Sequence, residues 1–412
     1  TTGWQTAGNS RERLTVADER EHVLFFLVEV IYEVIPAFYE EIEVALARVF
    51  DAAPAELRVP EVLHFGSWVG GDMDGHPDVH AKTIRESCHR HHQLIVNRYF
   101  QEVQVLAEKL SQSESRVRVS PQLNSRIEAY RSMVSGARAS VPASHDRMPY
   151  RVFLGQVAER LRATYEGRSG QYDQVGHFIA DLQLVERSLA DNRGREAGMF
   201  HVRRLLRRVR TFGFHLATLD VRQHALMHAE IIGGAFGDPD WVRRSALERT
   251  ERLGRALAAD ESPFEDLTPA GKRALWVFEA MEFCRKRFGE PAVGTYVVSM
   301  AQDIDDVLSV LLLARWAGMA EGPGGQVPLD VAPLFESVDA LEEAGAIIAR
   351  LLADPAYRKH LADRGNRQAV MLGYSDSNKS AGIVASRWLL RRAQEAMVAA
   401  CDAAGVQLVV FH

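Results

Sequence analysis

Only three cysteines, Cys88, Cys284 and Cys401, occur in the 412 residues, far apart and with no C-x-x-C pair. That excludes a disulfide framework and suits a reducing compartment, so a cytoplasmic location is expected. Positive charge is not in excess: the formal net charge is −6, which leaves no bulk electrostatic case for nucleic acid or an anionic membrane. The longest apolar stretch, Val23 to Ile35, is broken by Glu29 and Glu33 and reads as too short to span a bilayer. The first residues, Thr1-Thr-Gly-Trp-Gln5, lack Met and any signal-peptide hydrophobic region. Internal repeats and low-complexity segments are absent from the sequence as well. Hydrophobic content of 47% and charged content of 25% are ordinary for a soluble globular protein. The length allows two or three domains, or one large barrel with insertions.

Against that background, six short apolar runs end on polar groups. Gln368-Ala-Val-Met-Leu372 leads into Gly373–Gly382, GYSDSNKSAG, where Asp376 has Ser375, Ser377 and Lys379 beside it. Val331–Phe335 ends on Glu336. Thr295–Ser299 ends on Met300 and leads to Gln302 and Asp303. His215–Leu219 ends on Asp220, with Arg222 beyond. Val62–Phe65 runs into GSWVGGDMDG at 66–75, and Val406–Phe411 ends on His412. Most of these runs precede a long helical pattern. Strand, polar tip and helix in repetition predict an α/β, strongly helix-rich fold: a (β/α)8 barrel with many extra helices and its site at one mouth. A full barrel needs eight strands and six are legible, so the barrel is expected to be incomplete and the chain to be an excerpt of a longer polypeptide.

The helical patterns are long. Residues 14–50 carry Val23, Phe26, Leu27, Val30, Ile31 and Val34 at helical spacing behind a Thr15/Asp18 capping box, with Pro36 marking a kink or restart. His80–Leu110 reads as helix, 111–149 as a surface excursion, 151–210 as helix broken near Gly167–Gly170, and Gly237–Pro269 as breakers around a short helix. Gly322–Gly325 reads as a loop and Ile383–Ala404 as helix. Residues 1–150 form a helical region with the FGSWVGGDMDG loop and 151–412 carry the barrel, the two being one integrated domain.

Two carboxylates at neighbouring strand tips, Glu336 and Asp376, can share a hard divalent ion such as Mg²⁺ or Mn²⁺, or can each cap the following helix. Arg222 suits a phosphate or carboxylate, or pairs with Asp220 or another acid. Lys379 is a second anion contact or a solvated first-turn lysine. His412 is a proton shuttle or a structural histidine. Asp72-x-Asp74-Gly75 is a ligand-approach loop or a tight Asp-stabilised turn. Cys88, His89, His91 and His92 resemble a metal cluster, yet only Cys88 and His92 share a helix face well. In His201–Arg210, Val202, Leu205, Leu206 and Val209 make a core stripe with arginines opposite, an amphipathic helix rather than a nucleic-acid contact.

FGSWVGGDMDGHP (65–77), PYR (149–151), LDVRQ (219–223), YVVSMA (296–301), APLFE (332–336), GYSDSNKSAG (373–382) and VVFH (409–412) together resemble the phosphoenolpyruvate carboxylase family, in that family's order along nearly the whole chain. The resemblance implies a helical shell around a (β/α)8 barrel and a homotetramer. It implies conversion of phosphoenolpyruvate and bicarbonate to oxaloacetate and phosphate, with Mg²⁺ or Mn²⁺ and without biotin. By motif position Glu336 and Asp376 resemble metal ligands. Arg222 resembles a phosphate-contacting arginine, with Lys379 and Ser375 beside the substrate. His412 resembles the histidine that assists carboxyl transfer, and Trp68 resembles a pocket wall. The chain departs from the pattern at Met73, where arginine is usual, at His76, usually Asn, and at Met148, usually an acid. The family's TAHPTE and GRGG motifs are absent from these residues, so the segment alone is expected not to turn over. The competing readings are a diverged non-catalytic scaffold and another metal-dependent enolate enzyme on a similar barrel.

Overall fold

A strand that is buried on both faces reads as a continuous apolar run; Tyr296–Ser299, Val331–Phe335 and Gln368–Leu372 are such runs, and they join three other strands in one sheet. In this computed structural model, residues 14–51, 59–134, 147–263, 266–320 and 325–412 are described. The strands are β1 (Gly66–Ser67), β2 (Thr218–His224), β3 (Val293–Ser299), β4 (Val331–Phe335), β5 (Arg367–Leu372) and β6 (Gln407–Phe411). They lie in chain order β1-β2-β3-β4-β5-β6, and each neighbouring pair is parallel. Right-handed crossovers between strands laid down in consecutive order put every helix on one face. The other face must then be covered by curling the sheet, the arrangement of half a barrel.

Side-chain alternation follows this geometry. Tyr296 and Val298, Val331 and Phe335, and Val370 and Leu372 belong to the large sheet–helix core. Their alternates Val297, Ala332, Leu334, Ala369 and Met371 form a separate small cluster on the opposite face, joined by Trp68 and Phe411. One sheet thus has a thick apolar outer layer and a narrow apolar interior.

The chain divides into two compact units, Thr1–Phe65 with His89–Ala217, and Gly66–Cys88 with Thr218–His412. The first is helical. Its opening helix, Val16–Phe25, starts at the Thr15/Asp18 capping box and passes through one π-helical stretch, Phe26–Ile31, into Tyr32–Phe50. Pro36 does not restart the helix, which runs through it from Tyr32 to Phe50. It has no N–H to give the Tyr32 carbonyl four residues back, and Arg208 Nε donates to that oxygen instead at 3.0 Å. Buried Arg208 also reaches Glu33 at 2.6 Å and Glu102 at 3.0 Å. This 16–50 helix is long and apolar enough by composition to cross a membrane, longer than the interrupted run at 23–35 predicted, because helix continues through both glutamates and the proline. Its buried residues Leu24, Leu27, Val28, Tyr32, Ile35 and Tyr39 pack into the core of this unit.

The arginine-rich helix is amphipathic as read. Val202, Leu205, Leu206 and Val209 are buried, while Arg203, Arg204 and Arg207 pair with Glu186, Glu40 and Glu43. The stretch 111–149 contains a helix, Pro121–Met133, and its residues 135–146, like 321–324 of the glycine loop, lie outside the described residues.

Two strands begin later than expected. Leu216 adopts a left-handed backbone at φ +61°, and Ala217 N–H turns back onto the His215 carbonyl. The strand can therefore open only at Thr218, and Asp220 and Arg222 sit inside β2 rather than at or beyond its tip. Likewise the first strand is Gly66–Ser67, not Val62–Phe65.

Candidate active site at the strand ends

Each strand delivers a polar residue to the edge at which it ends. Glu336 follows the last residue of β4, and it is buried, 7% exposed. Its Oε1 accepts the Met300 N–H at 2.9 Å, and Met300 itself holds a left-handed φ of +54° just past β3. A non-glycine residue in that region stores strain, here in aiming one backbone donor at the carboxylate.

The GYSDSNKSAG segment is not a loop: Tyr374–Ala381 is a short helix, with Asp376 in its first turn. Gly373, the hinge between β5 and this helix, donates its N–H to the Phe335 carbonyl at 2.9 Å. A Cβ on Gly373 would stand 2.3 Å from the Glu336 Cβ and 3.1 Å from its Cα. Only glycine lets the β4 and β5 tips approach this closely.

The approach places Asp376 against Glu336, and their titration separates. Burial raises Glu336 above the usual carboxylate range, and the negative Asp376 adds to it. Asp376 is lowered, first by the hydrogen bond from Lys379 and also by one from Glu336. Of the two acids, Glu336 is therefore the one that holds a proton more readily.

Arg222 makes a bidentate pair with Asp72, Nε to Oδ1 at 2.8 Å and the terminal nitrogen to Oδ2 at 2.7 Å. Asp72 is therefore its partner, not Asp220. The GGD loop is laid against β2 by backbone bonds on both sides of Arg222, Arg222 N–H to Gly71 O and Met73 N–H to Arg222 O. The Asp72 side chain also accepts the Asp74 N–H at 3.1 Å, so this segment is the tight Asp-stabilised turn. Met73 packs against the outer core, which gives that departure from the motif an apolar role.

Asp220 accepts the Thr295 N–H at 2.9 Å and is pushed up to about 6 by burial. Two glycines make room for it: a Cβ on Gly294 would fall 2.4 Å from its Oδ1, and one on Gly71 would fall 2.1 Å from its backbone carbonyl.

The remaining sequence candidates fall as follows. Lys379 Nζ pairs with Asp376 at 2.7 Å, both exposed. Ser375 is exposed in the same turn, whereas Ser377 is buried and bonds to Gly373 O and Ser386. The His412 ring meets Tyr374 edge-to-face at 4.7 Å, and Arg387 stacks on the other partner of that pair, Tyr374, at 5.0 Å. Trp68 lines the interior cluster. His91 and His92 are engaged with the Ala217 and Phe214 carbonyls, and Cys88 with the Ala292 carbonyl.

Three roles escaped the sequence reading: Met300 as a backbone donor to Glu336, Asp72 as the partner of Arg222, and Tyr374 as the ring against His412. A positive φ and a pairing across 150 residues leave no local pattern. For Tyr374 the signal was its place inside the GYSDSNKSAG motif.

Among the described residues no group of three or more His, Cys, Asp or Glu side chains gathers as a metal site. The donor set is the Glu336–Asp376 carboxylate pair. Two carboxylates fit Mg²⁺ or Mn²⁺, which take oxygen ligands and keep waters that a substrate can displace.

Fold and site together define a singly wound parallel α/β protein with acids and an arginine gathered at the strand ends, the position at which such folds carry chemistry. The family described as phosphoenolpyruvate carboxylase matches residues 1–412. The chain is 46% identical over 413 residues to a phosphoenolpyruvate carboxylase of Xanthomonas euvesicatoria pv. vesicatoria, covering all of this chain and 45% of that protein. It is 36% identical over 435 residues to one from Nitrosomonas europaea, covering 99% and 45%. A Burkholderia mallei relative of the same name is 34% identical over 441 residues, covering 100% and 44%. The chain belongs to the phosphoenolpyruvate carboxylase family. It spans a little under half the length of these curated relatives.

Proposed function

We propose that this chain carries the central part of an enzyme that joins bicarbonate to phosphoenolpyruvate, giving oxaloacetate and phosphate. The observation that carries the reading is the Glu336–Asp376 pair, held together by Gly373 and Met300 within the electrostatic reach of Arg222. In this reading the six strands belong to a (β/α)8 barrel within one integrated domain, and the protein is a cytoplasmic homotetramer that uses no biotin.

Glu336 and Asp376 would hold Mg²⁺ or Mn²⁺. Bound there, the ion supplies positive charge beside the reacting oxygens. Binding would require an ionised Glu336, and Lys379 would have to release Asp376. Lys379 and Arg222 then become available to the phosphate, Arg222 by turning from Asp72, and both hold it for in-line attack. Ser375, in the same exposed turn, lies beside the substrate.

A bicarbonate oxygen attacks phosphorus and the bond from phosphorus to the enol oxygen breaks, leaving carboxyphosphate and the enolate of pyruvate. His412, braced by Tyr374, takes the proton of carboxyphosphate, which breaks down to carbon dioxide and phosphate. The enolate carbon then attacks carbon dioxide. Trp68 and the apolar interior beneath the site keep water from protonating the enolate.

The test is oxaloacetate formation from phosphoenolpyruvate, bicarbonate and Mg²⁺ by the whole protein that contains this chain, compared with Asp376→Asn. Activity that collapses in the variant is expected. A folded wild-type protein with no activity would overturn the reading.

A further inference from the structure

A cavity of about 600 Å³ opens between the helices Ala246–Ala259, Ile304–Trp316 and Pro355–Asp363. It lies within the range of small-molecule sites, roughly 300–1,000 Å³. Gln326 and Val327 lead into β4, and Asp354–His360 join the helix Val338–Ala353 to the approach of β5. In a singly wound α/β fold these connections lie where strands begin. The cavity is therefore at the opposite end of the strands from Glu336 and Asp376, and it is not the proposed substrate site.

Its walls combine apolar and cationic groups. Leu257, Leu311 and Val327 are buried and form an apolar floor, while Arg255, Arg315 and Lys359 add three positive charges. Two acids also line it. Asp354 is committed to capping the Tyr357 N–H at 2.9 Å, and Glu251 is exposed at the rim. Arg315 is fixed by its bond to the Leu257 carbonyl at 2.6 Å and by an ion pair with Asp260 at 3.7 Å, both through one terminal nitrogen, which leaves further donors on its fork.

Two lining groups have buried polar atoms without a hydrogen-bond partner: Nδ1 of His360, a residue 2% exposed, and Nε2 of Gln326. Buried polar atoms are normally satisfied. Burial holds His360 well below its usual range, at about 4, so it presents a neutral ring.

Gly254 supplies an independent sign. It stands in the interior of the helix Ala246–Ala259, where glycine weakens the helix. A Cβ there would meet nothing within 4 Å, so no close packing requires glycine. What the missing side chain leaves is open cavity.

We propose that this cavity binds a small organic anion, with its apolar body on Leu257, Leu311 and Val327 and its phosphate or carboxylate head among Arg255, Arg315 and Gln326. The test is calorimetric titration of the chain with phenyl phosphate and with benzoate, which separates the two head groups. Saturable binding of at least one probe is expected. Arg255→Glu should weaken it by roughly tenfold or more. Gly254→Leu, which puts a bulky side chain into the cavity, should weaken binding without lowering Tm. Gly254→Ala should raise Tm and keep binding, which shows that the loss in Gly254→Leu is not a folding failure.

Because a phosphate can also visit Arg222, Arg222→Gln is the control, and cavity binding should survive it. No saturable binding of either probe up to roughly 10 mM would overturn the proposal. So would wild-type affinity in Gly254→Leu, or binding lost in Arg222→Gln alone. None of these outcomes bears on the carboxylation reading, which rests on the other end of the strands.

Discussion

Replacing Asp220 by Asn should stabilise the fold at neutral pH and do almost nothing in acid. The carboxyl sits inside β2, accepts one backbone N–H from Thr295, and is pushed up to about 6 from an ordinary 3.8. A carboxyl raised in the folded state binds its proton more tightly folded than unfolded. Its contribution is therefore fully favourable below about 4 and is lost as pH rises through about 6. A shift of about two units is worth about 3 kcal/mol at its limit. Residual solvent at this half-buried position reduces that to about 2 kcal/mol.

Asn keeps an oxygen for the Thr295 N–H and carries no charge. The stability difference between Asp220→Asn and wild type, from urea denaturation at a series of pH values, should grow from near zero at pH 4 to a plateau above pH 7. Asp305 and Glu336 are also raised by burial, but they titrate in both proteins and cancel in the difference. A difference that is flat with pH, or of opposite sign, would refute the reasoning that burial dominates at Asp220.

Gly373→Ala should destabilise by about 2 kcal/mol or more, since the new Cβ would meet the Glu336 backbone and Cβ rather than a flexible side-chain end; circular dichroism melting would check it. Glu336→Gln should raise thermal stability slightly by removing a desolvated acid beside Asp376, and should eliminate saturable Mn²⁺ binding measured by electron paramagnetic resonance. Arg208→Met should cost about 3–5 kcal/mol, because it strands the Tyr32 carbonyl and removes the partner of Glu102 and one partner of Glu33; chemical denaturation measures this directly.

Strands β3 to β5 were legible because parallel strands buried on both faces are apolar runs bounded by turns, and β6 was legible as an apolar run although most of its residues are exposed. The helix Ile383–Ala404 and the Thr15/Asp18 box were legible for equally local reasons: spacing and a cap. β1 and β2 were displaced because Leu63, Phe65, Leu216 and Ala217 pack into the core of the helical unit, and the ladder opens only at Gly66 and Thr218. A left-handed Leu216, which no propensity predicts for a branched residue, decides where β2 starts.

The interleaving of the two units, in which the chain leaves the helical unit at Phe65 and returns at His89, depends on tertiary contacts. No composition shift accompanies it. At the site, residue types were readable and partners were not. Glu336 and Asp376 stand on adjacent strands and so were foreseeable as neighbours, while Arg222 with Asp72 depends on register between segments 150 residues apart.

Those partners change how the site must work. Both cations that could meet an anionic substrate are already neutralised, Arg222 by Asp72 and Lys379 by Asp376, and burial with the negative Asp376 holds Glu336 above the usual carboxylate range. Such a site is self-satisfied, and its charges are spent on one another until something more strongly charged enters. A divalent ion held by Glu336 and Asp376 would take the place of Lys379 at Asp376 and leave that lysine free. A phosphate offers Arg222 the same bidentate geometry that Asp72 does. Cation and phosphate thus compete for groups that are coupled through Asp376, so each lowers the cost of binding the other. Cooperative binding of Mn²⁺ and a phosphate ester follows from the charge pairing. Lys379→Met is expected to abolish the coupling: the phosphate ester binds more weakly, and Mn²⁺ binds with an affinity that no longer depends on the ester.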